Sequence, residues 1–130
     1  MIADTSALVA ILRNEPEAAI FAEALWAATT CRLSAATYVE LAAVVERRHD
    51  PTAASNLDRL LARIEAVIEP VTVEQAKIAR EAYREFGRGS GHPARLNFGD
   101  CFAYALAKAL NEPLLFKGED FARTDVARAV

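Results

Sequence analysis

The stretch MIADTSALVAILR, residues 1–13, reads as a very short strand ending at Asp4, followed by a helix capped by Thr5 or Ser6 that carries Leu8, Ile11 and Leu12 on one face. A carboxylate is thereby placed at the C-terminal end of a strand. In open parallel sheets ligands bind outside those ends. Downstream, helical segments are separated by short apolar runs, the alternation of an α/β protein with a parallel sheet. EPEAAIFAEALWAA (15–28) has apolar residues at helical spacing, with Trp26 read as core, and CRLS (31–34) is the second strand. ATYVELAAVVERRH (36–49) is helical, with Tyr38, Leu41, Ala42 and Val45 on one face. PTAASNLDRLLARIEAVI (51–68) starts a helix at Pro51, and the β-branched run Val71, Thr72, Val73 is the third strand. The helix EQAKIAREAYREF (74–86) precedes a glycine-rich loop, GRGSGHPARLN (87–97), read as flexible and ligand-facing or as a plain connection. FGDCFAYALAKALN (98–111) is a helix and PLLF (113–116) a fourth strand.

The chain has 130 residues, the size of one domain spanning 1–130, with 53% hydrophobic and 25% charged residues. That composition is globular, and its apolar surplus, with helices such as AAIFAEALWAA and LDRLLARIEAVI, predicts a protein interface. No apolar run approaches the roughly 18 residues needed to span a bilayer, and the N-terminus lacks a basic region followed by an apolar stretch. A cytoplasmic protein is expected. Cys31 and Cys101 stand far apart without C-x-x-C spacing, so buried free thiols are expected rather than zinc or a disulfide. A net charge of −3 and a pI near 5.4 exclude a protein that coats nucleic acid through a broad basic surface. Any RNA binding must rest on a local patch and a metal.

Three acids stand out. Asp4 ends the first strand, Glu40 interrupts the apolar stretch YVELAAVV, and Asp100 lies among Phe98, Cys101, Phe102 and Tyr104. Each also has a plain structural reading: a helix cap for Asp4, a solvated helix edge for Glu40, a helix-start acid for Asp100. One cause explains all three, since acids converging at one end of a sheet repel unless a divalent cation sits between them. Oxygen-only ligation suits Mg²⁺ or Mn²⁺. Glu119, Asp120 and Asp125 offer a fourth carboxylate near the C-terminus.

The order M-I-x-D-T-S-A-L (1–8), E-L (40–41), L-N-F-G-D-C (96–101) and L-L-F-K-G-E-D-F-x-x-T-D (114–125) covers nearly the whole chain. In this the sequence resembles the PIN-domain proteins, specifically the VapC-type toxins of bacterial toxin–antitoxin pairs. The resemblance implies a three-layer α/β/α fold with a central parallel sheet, Mg²⁺- or Mn²⁺-dependent endoribonuclease activity, homodimerisation and inhibition by a small cognate VapB-like antitoxin. It places the catalytic, metal-holding acids on Asp4, Glu40, Asp100 and Asp120, with Asp125 in reserve. Thr5 and Ser6 match the polar residues after the first aspartate, which bind a metal-associated water or position an Asp4 oxygen.

The chemistry agrees. Phosphodiester hydrolysis needs an activated water and neutralisation of charge building on the phosphoryl oxygens, and carboxylate-held cations supply both. Neither His49 nor His92 stands near a convincing Ser or Cys partner, so a protein nucleophile is disfavoured. Arg13, Arg47, Arg48, Arg88, Arg95 and Lys117 are the candidate phosphate contacts, with solvated surface charge as the alternative for each. Two rivals fit less well. A Mg²⁺-binding phosphoreceiver module needs an aspartate closing a central strand, which EPVTV lacks, and a catalytically inactive PIN-fold binding subunit would not keep all these acids.

Overall fold

Residue alternation along strands of two or three residues builds the three layers. The computed structural model describes residues 1–47 and 49–130, which leaves Arg48, one of the candidate phosphate contacts, outside the described residues. The chain runs β1 (Ile2–Ala3), α1 (Thr5–Leu12), α2 (Ala18–Ala27), β2 (Arg32–Ser34), α3 (Ala35–Glu46), α4 (Pro51–Arg63), β3 (Val67–Glu69), α5 (Val73–Phe86), α6 (Asp100–Leu110) and β4 (Leu114–Leu115), then a 3₁₀ turn at Phe121–Arg123. The strands form one parallel sheet in the order β3-β2-β1-β4. The C-terminal segment adds a parallel bridge between Arg128 and Leu114.

Successive strand residues point to opposite faces. Ile2 and Leu114 therefore join α5 and α6 in one core with Leu106, Phe116 and Phe121, whereas Ala3, Leu33 and Leu115 join α1 to α4 in the other with Leu8, Phe21 and Leu41. A buried sheet covered by helices on both sides is the α/β/α architecture expected. Around the N-terminal ends of β1 and β2 the charges are paired, with Glu69 reaching in from the last residue of β3. Arg32 binds Glu69 at 2.6 Å and Glu112 at 3.0 Å, and Glu112 also holds the Met1 amine.

Four local expectations are corrected. The third strand is Val67–Glu69, not Val71–Val73; α4 stops at Arg63, Glu65 turns the chain at φ +47°, and Thr72 caps α5 by accepting from the Gln75 amide at 3.1 Å. β-Branched Val67 and Ile68 were read as helix because their apolar character continues the α4 face. Trp26 is not core: it is 55% exposed, with the Arg63 guanidinium 4.9 Å from its ring centre. The cap of α1 is Asp4 itself, not Thr5 or Ser6. Loop 87–97 is tied down rather than loose, since the Leu96 amide donates to Phe86 O at 2.9 Å, the Arg88 amide to Leu96 O at 3.0 Å, and Ala94 and Leu96 are buried.

Cys31 and Cys101 are buried free thiols, both pushed up to about 11, chiefly by burial. Among the described residues no helix is long and apolar enough to cross a membrane.

Candidate active site

The C-terminal edge of the sheet collects carboxylates, each delivered by a different element. Asp4 leaves β1 with extended backbone and caps α1; its Oδ2 accepts from the Ser6 amide at 2.9 Å and the Ser6 hydroxyl at 2.6 Å. Asp4 is only 4% exposed. Burial raises its pKa, against the lowering pull of the Ser6 hydroxyl and the Ser6 and Thr5 amides.

Asp100 enters from the other half of the chain through a reciprocal cap. Its Oδ2 accepts from the Asn97 amide at 2.8 Å while Asn97 Oδ1 accepts from the Asp100 amide at 2.9 Å, a capping box that fixes the first turn of α6. Burial pushes Asp100 up to about 7; the Asn97 bond lowers it, and the charges of Asp4, Asp120 and Glu40 raise it further. Asp100 thus lies within reach of the other three acids singled out from the sequence.

Glu40 reaches the site from α3. Burial, then the charge of Asp4, raises its pKa. A Cβ built on Gly99 would lie 2.2 Å from Glu40 Oε2 and 2.8 Å from its Cδ, so the carboxylate occupies the space that a side chain at 99 would need. Sequence reading missed Gly99, although a glycine immediately before the acid of a helix start is a signal of close approach.

Of the C-terminal acids, Asp125 and Asp120 differ in their surroundings. Asp125 is engaged elsewhere, accepting from the Tyr104 hydroxyl at 2.5 Å and pairing with Lys108 at 2.9 Å, which hold its pKa below the usual range. Asp120 is exposed at the start of the 3₁₀ turn, with its charge acting on Asp100.

Among the described residues, none of Asp4, Glu40, Asp100 and Asp120 has an ion-pair partner. Neither do any three Asp, Glu, His or Cys side chains there close into a ready-made metal cage. An open set of hard oxygens is what Mg²⁺ accepts, because it keeps several waters and uses few protein ligands. The Thr5 hydroxyl, buried beside Asp4 without a hydrogen-bond partner, adds another oxygen donor. The residues present fit a hard divalent cation.

The basic candidates divide. Arg13, Arg47, Arg88 and Arg95 are exposed and unpaired among the described residues, as phosphate contacts must be. Lys117 is not free, because Glu15 and Glu17 hold it at 2.6 and 2.9 Å. His92 is structural: its Nδ1 accepts from the Ala94 amide at 3.1 Å and its ring stands edge-on to Phe86. His49 is exposed in a left-handed turn at φ +47°.

Fold and site together define a class: a parallel α/β/α domain with acids gathered at one sheet edge. The PIN-domain family model matches residues 1–127, and the chain belongs to that family. Within it, the sequence stands with the VapC ribonucleases. Ribonuclease VapC28 of Mycobacterium tuberculosis is 56% identical over 130 residues, 100% of this chain and 98% of the relative. Ribonuclease VapC42 of the same species is 50% identical over 129 residues, 99% and 98% of the two chains. Among solved structures, the fold matches M. tuberculosis VapC20, described as a sarcin–ricin loop cleaving toxin, with a TM-score of 0.73 over 97% of this chain and 95% of that one, at 19% identity. A toxin–antitoxin complex from Klebsiella pneumoniae matches with a TM-score of 0.69 over 93% and 89%, also at 19% identity.

Two outcomes follow from this geometry. In Gly99→Ala the new methyl collides with the flexible end of Glu40 and not with backbone, so the carboxylate is displaced while thermal stability changes little; catalytic rate should fall by about tenfold or more, measured beside a melting curve. The second concerns pH. Because the Asp100 pKa is raised in the folded protein, the native state binds more protons than the unfolded chain between about pH 4 and 7. In chelator-treated protein this group's contribution to stability is therefore full below about pH 4 and lost as pH rises through about 7. Urea titrations across that range should show the decline in the wild type and a flatter profile in Asp100→Asn.

Proposed function

We propose that this protein is the ribonuclease toxin of a toxin–antitoxin pair, acting in the cytoplasm as a Mg²⁺- or Mn²⁺-dependent endonuclease whose cation is held by Asp4, Glu40, Asp100 and Asp120. The observation that carries the reading is that Asp4, Glu40 and Asp120 stand close enough to Asp100 for their charges to raise its pKa, while none of the four has an ion-pair partner among the described residues. The relatives named ribonuclease, matched end to end, support the activity. Membership in the PIN-domain family sets aside the phosphoreceiver reading.

Bound divalent cations would stabilise the charge that builds on the phosphoryl oxygens and favour ionisation of the attacking water. The protein's own part is positioning. Asp4 and Asp100 each have one oxygen pinned by a backbone amide, which leaves the other aimed by the cap and not by a mobile side chain. Glu40, whose oxygens take no hydrogen bond among the described residues, is the acid free to accept the proton leaving the water. Exposed Arg13, Arg47, Arg88 and Arg95 are the groups available to the RNA backbone.

The solved toxin–antitoxin complex of the same fold supports an antitoxin partner. Exposed apolar groups supply the surface: Phe98 is 76% exposed, stacked edge-on against Phe102, and Ile20 and Trp26 project from α2. We assign homodimerisation to such surface as well.

Purified wild-type protein should cut RNA with Mg²⁺ and stop when the metal is chelated. Asp4→Asn and Asp100→Asn should each lower cleavage by about a hundredfold or more while remaining folded. Wild-type rates in either variant, or cleavage indifferent to chelation, would contradict the metal-site assignment.

A further inference from the structure

Lys117 lies three residues before Asp120 and is a candidate for touching RNA, yet its ammonium is held by two protein carboxylates. Lys117 Nζ donates to Glu15 Oε2 at 2.6 Å and lies 2.9 Å from Glu17 Oε2, an ion pair whose angle falls short of a hydrogen bond. Glu17 is drawn below the usual carboxylate range chiefly by Lys117, and the lysine is raised by both acids. These acids sit between α1 and α2, so the ion pairs tie the start of α2 to the chain leaving β4.

The backbone of the same residue touches the active site. The Lys117 amide donates to Ser6 Oγ at 3.0 Å, and Ser6 Oγ donates to Asp4 Oδ2 at 2.6 Å. A serine hydroxyl has one proton, and an amide N–H that occupies its oxygen leaves that proton to point elsewhere. Here it points at Asp4. With both Ser6 bonds ending on Oδ2, Oδ1 is left to meet the cation. Beyond Lys117 the chain turns at Gly118 with φ +99° and delivers Asp120 two residues later, so one anchor sets the approach of two acids.

We propose that Lys117, clamped between Glu15 and Glu17, is a positioning residue that fixes the Ser6–Asp4 hydrogen bonds and the entry of Asp120, and does not itself contact RNA. The inference rests on the metal-site reading above. Each ion pair is partly exposed and adds little to stability. The effect of the clamp is on geometry, where small displacements of a ligand cost rate.

The test compares wild type, Lys117→Met, Lys117→Arg and the double variant Glu15→Gln/Glu17→Gln by steady-state RNA cleavage and by Mn²⁺ titration, without RNA, followed by electron paramagnetic resonance. Lys117→Met should lower kcat about tenfold or more and weaken Mn²⁺ binding, with KM changed less than about twofold. Lys117→Arg should recover much of that loss. The double variant is the decisive arm, because it frees the lysine and removes two negative charges. A clamp predicts lower kcat and weaker Mn²⁺ binding there too. A lysine that binds phosphate predicts the reverse: lower KM in the double variant, and raised KM with kcat retained in Lys117→Met. That pattern, or unaltered kcat and Mn²⁺ affinity in both variants, overturns the proposal. If Lys117→Met does not fold, the double variant alone decides. Wild-type protein that binds no Mn²⁺ would instead overturn the metal-site reading, and the inference with it.

Discussion

Repulsion among unpaired acids at one edge of a sheet is the constraint around which this structure is built. Asp4, Glu40 and Asp100 are partly or wholly withdrawn from water, and burial is the largest cause raising each of their pKa values. Such an arrangement is unfavourable unless the surrounding structure over-determines it. The contrast with the opposite edge is informative. There Arg32, Glu69, Glu112 and the Met1 amine neutralise one another, so half-buried charge is paired.

Two of the acids are held by helix caps. Asp4 caps α1, and Asp100 completes the capping box of α6 with Asn97. Each cap consumes one carboxylate oxygen and rigidly aims the other. The structural and functional readings of these residues are therefore compatible, since the cap is the means by which the site is set. Gly99 supplies the complementary negative space for Glu40, and the ion-paired Lys117 supplies the anchor for Ser6. A parallel sheet contributes the rest by bringing β1 and β4, far apart in sequence, side by side with Ala3 opposite Leu115.

Much of this was legible in the sequence. Asp4 could be placed because a strand of two residues followed by a helix leaves little choice of where the turn falls, and Asp100 because it stands at a helix start among Phe98, Cys101, Phe102 and Tyr104. The third strand was misplaced because Val67 and Ile68 extend the apolar periodicity of α4; only the left-handed Glu65 breaks the helix, and a glutamate gives no warning of positive φ. Trp26 was assigned to the core on size, but its position on α2 faces Arg63 and solvent. The partners of Gly99 and Lys117 could not be read, because each joins residues far apart in the chain: Gly99, whose place before a helix-start acid signals only a close approach, meets Glu40, and Lys117 meets Ser6, Glu15 and Glu17. Spacing alone leaves Asp120 and Asp125 as alternates for the fourth acid, and the structure adds that Tyr104 and Lys108 engage Asp125.

The central claim is that these acids converge because a divalent cation belongs between them. Anomalous diffraction from crystals soaked in Mn²⁺ tests it most directly. The account predicts a peak within ligand distance of Asp4 and Asp100 in the wild type and its loss in Asp4→Asn. A wild-type crystal with no peak at that edge of the sheet, or one with its strong peak beside Glu119 and Asp125 instead, would contradict it.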